Sequence, residues 1–212
     1  MGYLLDNCQF DRLSSEIITQ CQPYKCTKDS GIDSFFHDGT KDNYSDYESE
    51  MMSFSHCFYT DVEAYNKEHP ENQKAPEMVC AFSLSNTALR TAPLPNSQRN
   101  RFNRDIPNAK RRSQYPAILI GQLCVFDGFG GHDIGDEMMD LIKTIAINPE
   151  NRYAARYLVV DAVNHPKVLA YYTKNGFEFL FNSDEEEKDC LHKSDCPTRL
   201  MFFDLIILRQ NI

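Results

Sequence analysis

The chain of 212 residues is 42 % hydrophobic and 25 % charged, which suits a folded domain and excludes wholesale disorder. Its net charge of −9 excludes a protein that coats nucleic acid or anionic membrane with its whole surface. The charge is uneven, because residues 99–112 hold Arg99, Arg101, Arg104, Lys110, Arg111 and Arg112 against Asp105, a basic island inside an acidic sequence.

The first residues, MGYLLDNCQF, have no cationic flank and no long apolar run, so no signal peptide is expected. Asp6 stands where a myristoylation signal needs Ser or Thr. No stretch approaches the length of a membrane-spanning helix, so no membrane contact is expected. The eight cysteines include Val79-Cys80-Ala81 and Leu123-Cys124-Val125, and they read as reduced core thiols of a cytoplasmic protein. Cys190-x-His192-x-x-x-Cys196 lacks a partner pair, so no metal site is expected.

Asp29–Met52 carries Ile32, Phe35, Phe36, Tyr44, Tyr47 and Met51 at roughly helical spacing, which predicts one or two helices. Phe54–Thr60 and Met78–Ser85 predict strands, with a polar loop over Tyr65–Pro76 between them. Pro93, Pro95 and Pro107 leave room for a short helix over Asn96–Arg104. Tyr115–Val125 predicts a strand, and Gly121 inside it predicts a bulge or a close backbone approach. Phe126–Gly131 predicts a turn and Gly135–Ile147 an amphipathic helix. Ala155–Val163 predicts a buried strand. Asn164 then caps a helix with Pro166 in its first turn, and Gly176 ends that helix. Phe177–Phe181 and Arg199–Leu208 predict strands, with Asn182–Cys196 a solvated loop between them. The order is that of an α/β or α+β domain.

A buried strand, a glycine-rich turn and a helix together make an anion site, because free N–H groups and the positive helix end face the turn. Here the turn reads Gly128-Phe129-Gly130-Gly131-His132-Asp133-Ile134-Gly135. It is neither a Walker-type loop nor a dinucleotide fingerprint.

The stretch Ala117–Phe181 resembles the acyl-CoA-binding half of Gcn5-related N-acetyltransferases. The segments AILIGQLCVF, DGFGGHDIG, DEMMDLIKTIA, RYLVVDAV and NHPKVLAYYTKNGFEFL occur in the order that fold requires. The last is the most specific, through Asn164, Tyr171, Tyr172, Gly176 and Phe177. YKCTKDSGIDSFF is similar to the opening of the subgroup that includes toxin-type acetyltransferases. The resemblance implies one domain over residues 1–212, with an acceptor-side half at 1–114 and an acyl-CoA-binding half at 115–212. It implies a mixed, mostly antiparallel sheet with a splayed central strand pair and flanking helices.

The resemblance also implies an acetyl-CoA-dependent transferase that moves the acetyl group directly to an amine. The backbone of Leu123, Cys124 and Val125 would hold the pantetheine arm. The amides of Gly130, Gly131, His132, Asp133, Ile134 and Gly135 would hold the pyrophosphate. Asn164 would contact the cofactor, and Tyr172 would protonate the departing thiolate. Asp161 or a water could take the amine proton. The acceptor is an aminoacyl-tRNA, a small amine or a protein amine, and Arg99–Arg112 is the landing site an RNA would use. A homodimer is a further implied partner arrangement.

Plainer readings stand beside these. Val168 and Tyr172 lie four apart on one helix face, which suits a core aromatic. The basic island suits a solvated helix face. The family turn reads Gln/Arg-x-x-Gly-x-Gly/Ala, whereas here Gly130 and Asp133 replace its polar first residue and its middle glycine. Asp133, Asp136 and Glu137 would then satisfy their own helix N-terminus in competition with pyrophosphate. That supports an alternative, a catalytically degenerate protein of this fold that binds a ligand or a partner.

Overall fold

The computed structural model describes residues 2–103, 112–131, 133–151 and 154–209. The chain divides into two compact units, Met1–Ser85 with Gly121–Ile142 and Asn86–Ile120 with Lys143–Ile212.

The first unit opens with α1 (Tyr3–Asn7), β1 (Cys8–Arg12) and α2 (Ser15–Gln20), followed by α3 (Ser30–Phe35) and α4 (Tyr44–Ser49). These helices are too short to hold themselves by propensity, and side-chain caps start α2, α3 and α4. The Ser14 hydroxyl accepts from Ile17 N, the Asp29 carboxylate accepts from Gly31 N and Ile32 N, and Asn43 forms a capping box with Asp46. Then come β2 (Phe54–Thr60), α5 (Glu63–Glu68) and β3 (Met78–Arg90). β1, β2 and β3 pair antiparallel, with Phe10 opposite Phe58 and Cys57 opposite Ala81. Leu13, Cys26, Phe35, Phe36, Tyr44, Cys57, Ala81, Cys124 and Phe126 are buried in one core.

In the second unit lie α6 (Asn96–Asn103), the first part of β4 (Gln114–Val125), β5 (Tyr157–Val163) and α8 (Pro166–Lys174). They are followed by β6 (Glu178–Phe179), α9 (Asp184–Leu191), β7 (Thr198–Asp204) and α10 (Ile206–Arg209). β4 and β5 run parallel, with Ala117 opposite Tyr157 and Ile120 opposite Val160. β7 pairs antiparallel with both β5 and β6. Leu89, Leu94, Phe102, Tyr115, Tyr157, Val159, Phe181 and Phe202 form the core of this unit. The remaining helix, α7 (Ile134–Ile147), follows the glycine-rich turn and buries Met138, Met139 and Ile142. Strand order in the sheet is β1-β2-β3-β4-β5-β7-β6.

Five expectations are corrected. The predicted loop Tyr65–Pro76 begins inside α5, which ends before Pro70. Asn182–Cys196 contains α9, because Ser183 caps it and its first-turn carboxylates suit the positive end of a helix. The strand predicted over Phe177–Phe181 is Glu178–Phe179 alone, and the last strand stops at Asp204 before α10. The cap of α8 is His165, whose ring accepts from Lys167 N, and not Asn164.

Candidate functional site

Leu123, Cys124 and Val125 end β4 in the first unit. The next residues are anchored firmly. Phe126 N donates to Val79 O at 3.0 Å, and Asp127 N donates to Lys25 O at 2.9 Å. The Asp127 carboxylate accepts from Thr27 N at 3.2 Å and from Thr27 Oγ1 at 3.1 Å. Gly128 and Gly131 then take φ of 93° and 92°, which glycine adopts without steric cost. A Cβ built on Gly128, Gly130 or Gly131 would meet nothing within 4 Å among the described residues. The turn is therefore open on its outer surface. His132 lies outside the described residues.

Asp133 takes φ 53°, and its carbonyl accepts from Asp136 N at 2.9 Å and from Glu137 N at 3.1 Å. It starts α7 in a left-handed backbone, a conformation Asp tolerates better than most side chains. The substitution therefore keeps the backbone shape that a glycine would give while adding a carboxylate. Glu137 does not serve its own helix end, as the sequence had suggested. Its two oxygens accept from Tyr3 N and Leu4 N, both at 2.8 Å, and so fix α1. Gly2 makes room for this carboxylate, since a Cβ there would lie 2.4 Å from Glu137 Cδ.

Gly121 bears out the predicted close approach. A Cβ at this position would lie 2.6 Å from Ser83 Oγ, and the same oxygen accepts from Gln122 N at 2.9 Å. Ser83 carries no sequence signal of its own, and the glycine opposite it was the clue.

Asn164 and Tyr172 lie in the second unit. Asn164 Nδ2 donates to Asp184 Oδ2 at 2.7 Å and to Cys196 O at 2.9 Å, which uses both amide hydrogens. Its Oδ1 is left as an acceptor. Asp184 also pairs with Arg199, whose Nε donates to Glu187 Oε2 at 2.9 Å and whose Nη2 donates to Phe181 O at 3.0 Å. Tyr172 on α8 is 6 % exposed and packs edge-on against Tyr171 and Phe177. Burial pushes its phenol up to about 12, and its hydroxyl has no hydrogen-bond partner among the described residues. On β5, Asp161 is exposed opposite Leu200, and Val163 beyond it is 51 % exposed.

Two cations of the basic island are committed elsewhere. Arg99 donates to the carbonyls of Thr91, Ala92 and Leu94. Arg101 donates to the carbonyls of Phe179 and Leu180, and its guanidinium lies over the rings of Phe102 and Phe202. Arg112 is exposed, and Arg104, Lys110 and Arg111 lie outside the described residues. Among the described residues, no group of three or more His, Cys, Asp or Glu could hold a metal ion. No described helix is long and apolar enough to cross a membrane.

The fold, a mixed and mostly antiparallel seven-stranded sheet with flanking helices, is that of the Gcn5-related N-acetyltransferases. No protein-family model and no curated protein sequence matches the chain. Solved structures do match it over nearly its whole length. A tyrosine-to-phenylalanine variant of KacT superposes with a TM-score of 0.68 at 12 % identity, covering 98 % of this chain and 100 % of that one. AtaT complexed with acetyl-methionyl-tRNAfMet gives 0.61 at 12 % identity, covering 96 % and 98 %. AtaTR bound with AcCoA gives 0.60 at 14 % identity, covering 97 % and 98 %.

Proposed function

We propose that this chain is an N-acetyltransferase that moves the acetyl group of acetyl-CoA directly to an amine. The observation that carries the reading is the open turn at Gly128–Gly131, anchored through Phe126 and Asp127 and leading into the fourteen-residue helix α7. Backbone N–H groups and the positive dipole end at a helix start favour a bound phosphate. The similar fold of AtaTR bound with AcCoA supports the same ligand here.

Acetyl-CoA supplies an activated acyl group and a thiolate leaving group. In this reading the backbone of Leu123–Val125 holds its arm, and the amides of Gly130–Gly135 hold its pyrophosphate. Asn164 contributes through Oδ1, since both of its amide hydrogens are taken. Tyr172 presents an uncommitted hydroxyl, and a phenol pushed up to about 12 stays protonated at neutral pH. Against a thiol of pKa about 8.5 it is a reluctant acid, so its main effect is a hydrogen bond that stabilises charge on the leaving sulfur. The proton lost by the amine balances the one gained by sulfur, and Asp161 or a water carries it from the amine.

The acceptor class is an aminoacyl-tRNA, following AtaT complexed with acetyl-methionyl-tRNAfMet, with small and protein amines as the other candidates. Any RNA contact at the island falls to its residues other than Arg99 and Arg101, whose guanidiniums are taken by carbonyls. A second reading, a ligand- or partner-binding protein without turnover, is favoured by the exposed Asp133 carboxylate at the turn.

Calorimetric titration with acetyl-CoA and with CoA tests the reading. Binding in the micromolar range, about 8 kcal/mol, is expected. Tyr172→Phe is expected to keep that affinity and to lose turnover by about 100-fold or more. No binding at millimolar acetyl-CoA would leave the second reading in place.

A further inference from the structure

The geometry points to Ser83 as the positioning residue that sets the stretch of β4 proposed to hold the pantetheine arm, an inference that rests on the acetyl-CoA reading above. Ser83 is 3 % exposed, on β3 in the first unit. Its hydroxyl accepts from Gln122 N at 2.9 Å, so a side-chain oxygen receives a strand N–H. Residue 121 must be glycine for this to happen, because a Cβ there would lie 2.6 Å from that oxygen, well inside contact distance. The peptide joining Gly121 to Gln122 is thus clamped from the β3 side, immediately before Leu123, Cys124 and Val125. Downstream, the same strand is held again where Phe126 N meets Val79 O and Asp127 N meets Lys25 O. The three residues proposed to hold the pantetheine arm therefore lie between two anchors, and Ser83 is the only side chain in the upstream one among the described residues.

A buried serine in this sheet does not by itself imply such a role. Ser55 sits directly opposite Ser83 on β2, is equally buried, and its hydroxyl has no partner among the described residues. It is the natural control. Ser83 clamps β4, and Ser55 only fills space.

Once Gln122 N–H loses its acceptor, the strand can shift by a few tenths of an ångström, enough to spoil the fit of the pantetheine arm while leaving the fold intact. Ser83→Ala is expected to weaken acetyl-CoA binding by about fivefold or more, the scale of one lost hydrogen bond. CoA carries the same pantetheine arm and is expected to lose affinity by a similar factor. Ser83→Cys, close in shape but a weak acceptor, is expected to show the same loss and guards against misfolding of the alanine variant. Adding Gly121→Ala to Ser83→Ala refills the space left by the hydroxyl without restoring the bond. Its thermal midpoint is expected to recover while the affinity for the two ligands does not. Ser55→Ala is expected to leave both affinities unchanged.

Calorimetry with the two ligands and a thermal melt read all five proteins. If Ser83→Ala and Ser83→Cys keep the wild-type affinities, or if the double variant restores them, the positioning role is overturned while the acetyl-CoA reading stands. Wild-type protein that fails to bind acetyl-CoA at millimolar concentration overturns the reading, and the role of Ser83 with it.

Discussion

Asp133 sets backbone shape against charge in a single residue. A left-handed φ of 53° costs a non-glycine residue about 1 kcal/mol, and a carboxylate about 4 Å from a phosphate costs about as much even in water. Asp133→Asn keeps a side chain that tolerates this backbone and removes the charge. It is expected to tighten CoA binding by about fivefold with little change in thermal midpoint. Asp133→Gly is expected to do the same, because relief of strain offsets the added freedom of the unfolded chain. Calorimetry checks both, and an unchanged affinity would mean that the carboxylate faces away from the ligand. Tyr172 makes a different prediction at the same scale. Its phenol titrates near 10 in the unfolded chain and at about 12 when folded, because burial disfavours the phenolate. A folded-state pKa above the unfolded one gives stability that is complete below pH 10 and is lost as pH rises toward 12. Tyr44 and Tyr157 shift the same way, to about 12 each. The thermal midpoint is therefore expected to fall between pH 10 and 12, and Tyr172→Phe is expected to flatten that fall by about 2–3 kcal/mol at its upper end. A Tyr172→Phe profile parallel to wild type would contradict the buried phenol.

At the scale of elements, α9 depends on a buried ion pair. Glu187 is 0 % exposed, its Oε2 accepts from Arg199 Nε, and its Oε1 accepts from Leu200 N. Glu187→Ala leaves a buried guanidinium short of a partner and a strand N–H unpaired, at a cost of about 3–5 kcal/mol. For a chain of this size that is expected to lower the thermal midpoint by roughly 10 °C. A loss below about 1 kcal/mol would show that water replaces the carboxylate. The same helix shows where sequence reading stops. Asp184–Asp189 has no apolar period, and a helix whose outward face is charged looks like a loop until its inward carboxylate meets Arg199, twelve residues on. Elements with a strong pattern were legible: β2 over Phe54–Thr60, β4 with its glycine, and α7 with Met138, Met139 and Ile142. α1, β1 and α2 span five or six residues each, less than two helical turns, so periodicity had nothing to grip. At the candidate site, Gly121 announced a close approach, yet its partner Ser83 was invisible, because the pairing joins two strands nearly forty residues apart. Asn164 is a favoured cap type ahead of Pro166, but its amide donates to Asp184 and Cys196 and the His165 ring accepts from Lys167 N instead, contacts that no local pattern shows.

At the scale of the whole molecule, charge decides how a polyanion can bind. The net charge of −9 repels RNA, so any affinity must come from a local cluster. The basic island offers six cations in sequence, but Arg99 and Arg101 are spent on backbone carbonyls. Arg104, Lys110, Arg111 and Arg112 remain. Each phosphate neutralised releases somewhat less than one counterion, so the logarithm of RNA affinity should fall with the logarithm of salt with a slope no steeper than about −3 to −4. Arg112→Ala is expected to reduce that slope by about one. Arg99→Ala is expected to leave it unchanged. That variant should instead lower the thermal midpoint by about 5 °C, because three carbonyls lose a charged donor. A filter-binding titration of tRNA at several salt concentrations, run beside thermal melts, separates the two kinds of arginine. If Arg99→Ala flattens the slope as much as Arg112→Ala does, the carbonyl bonds of Arg99 must open when RNA arrives. The island would then act as a whole, with part of its affinity offset by the cost of releasing those bonds.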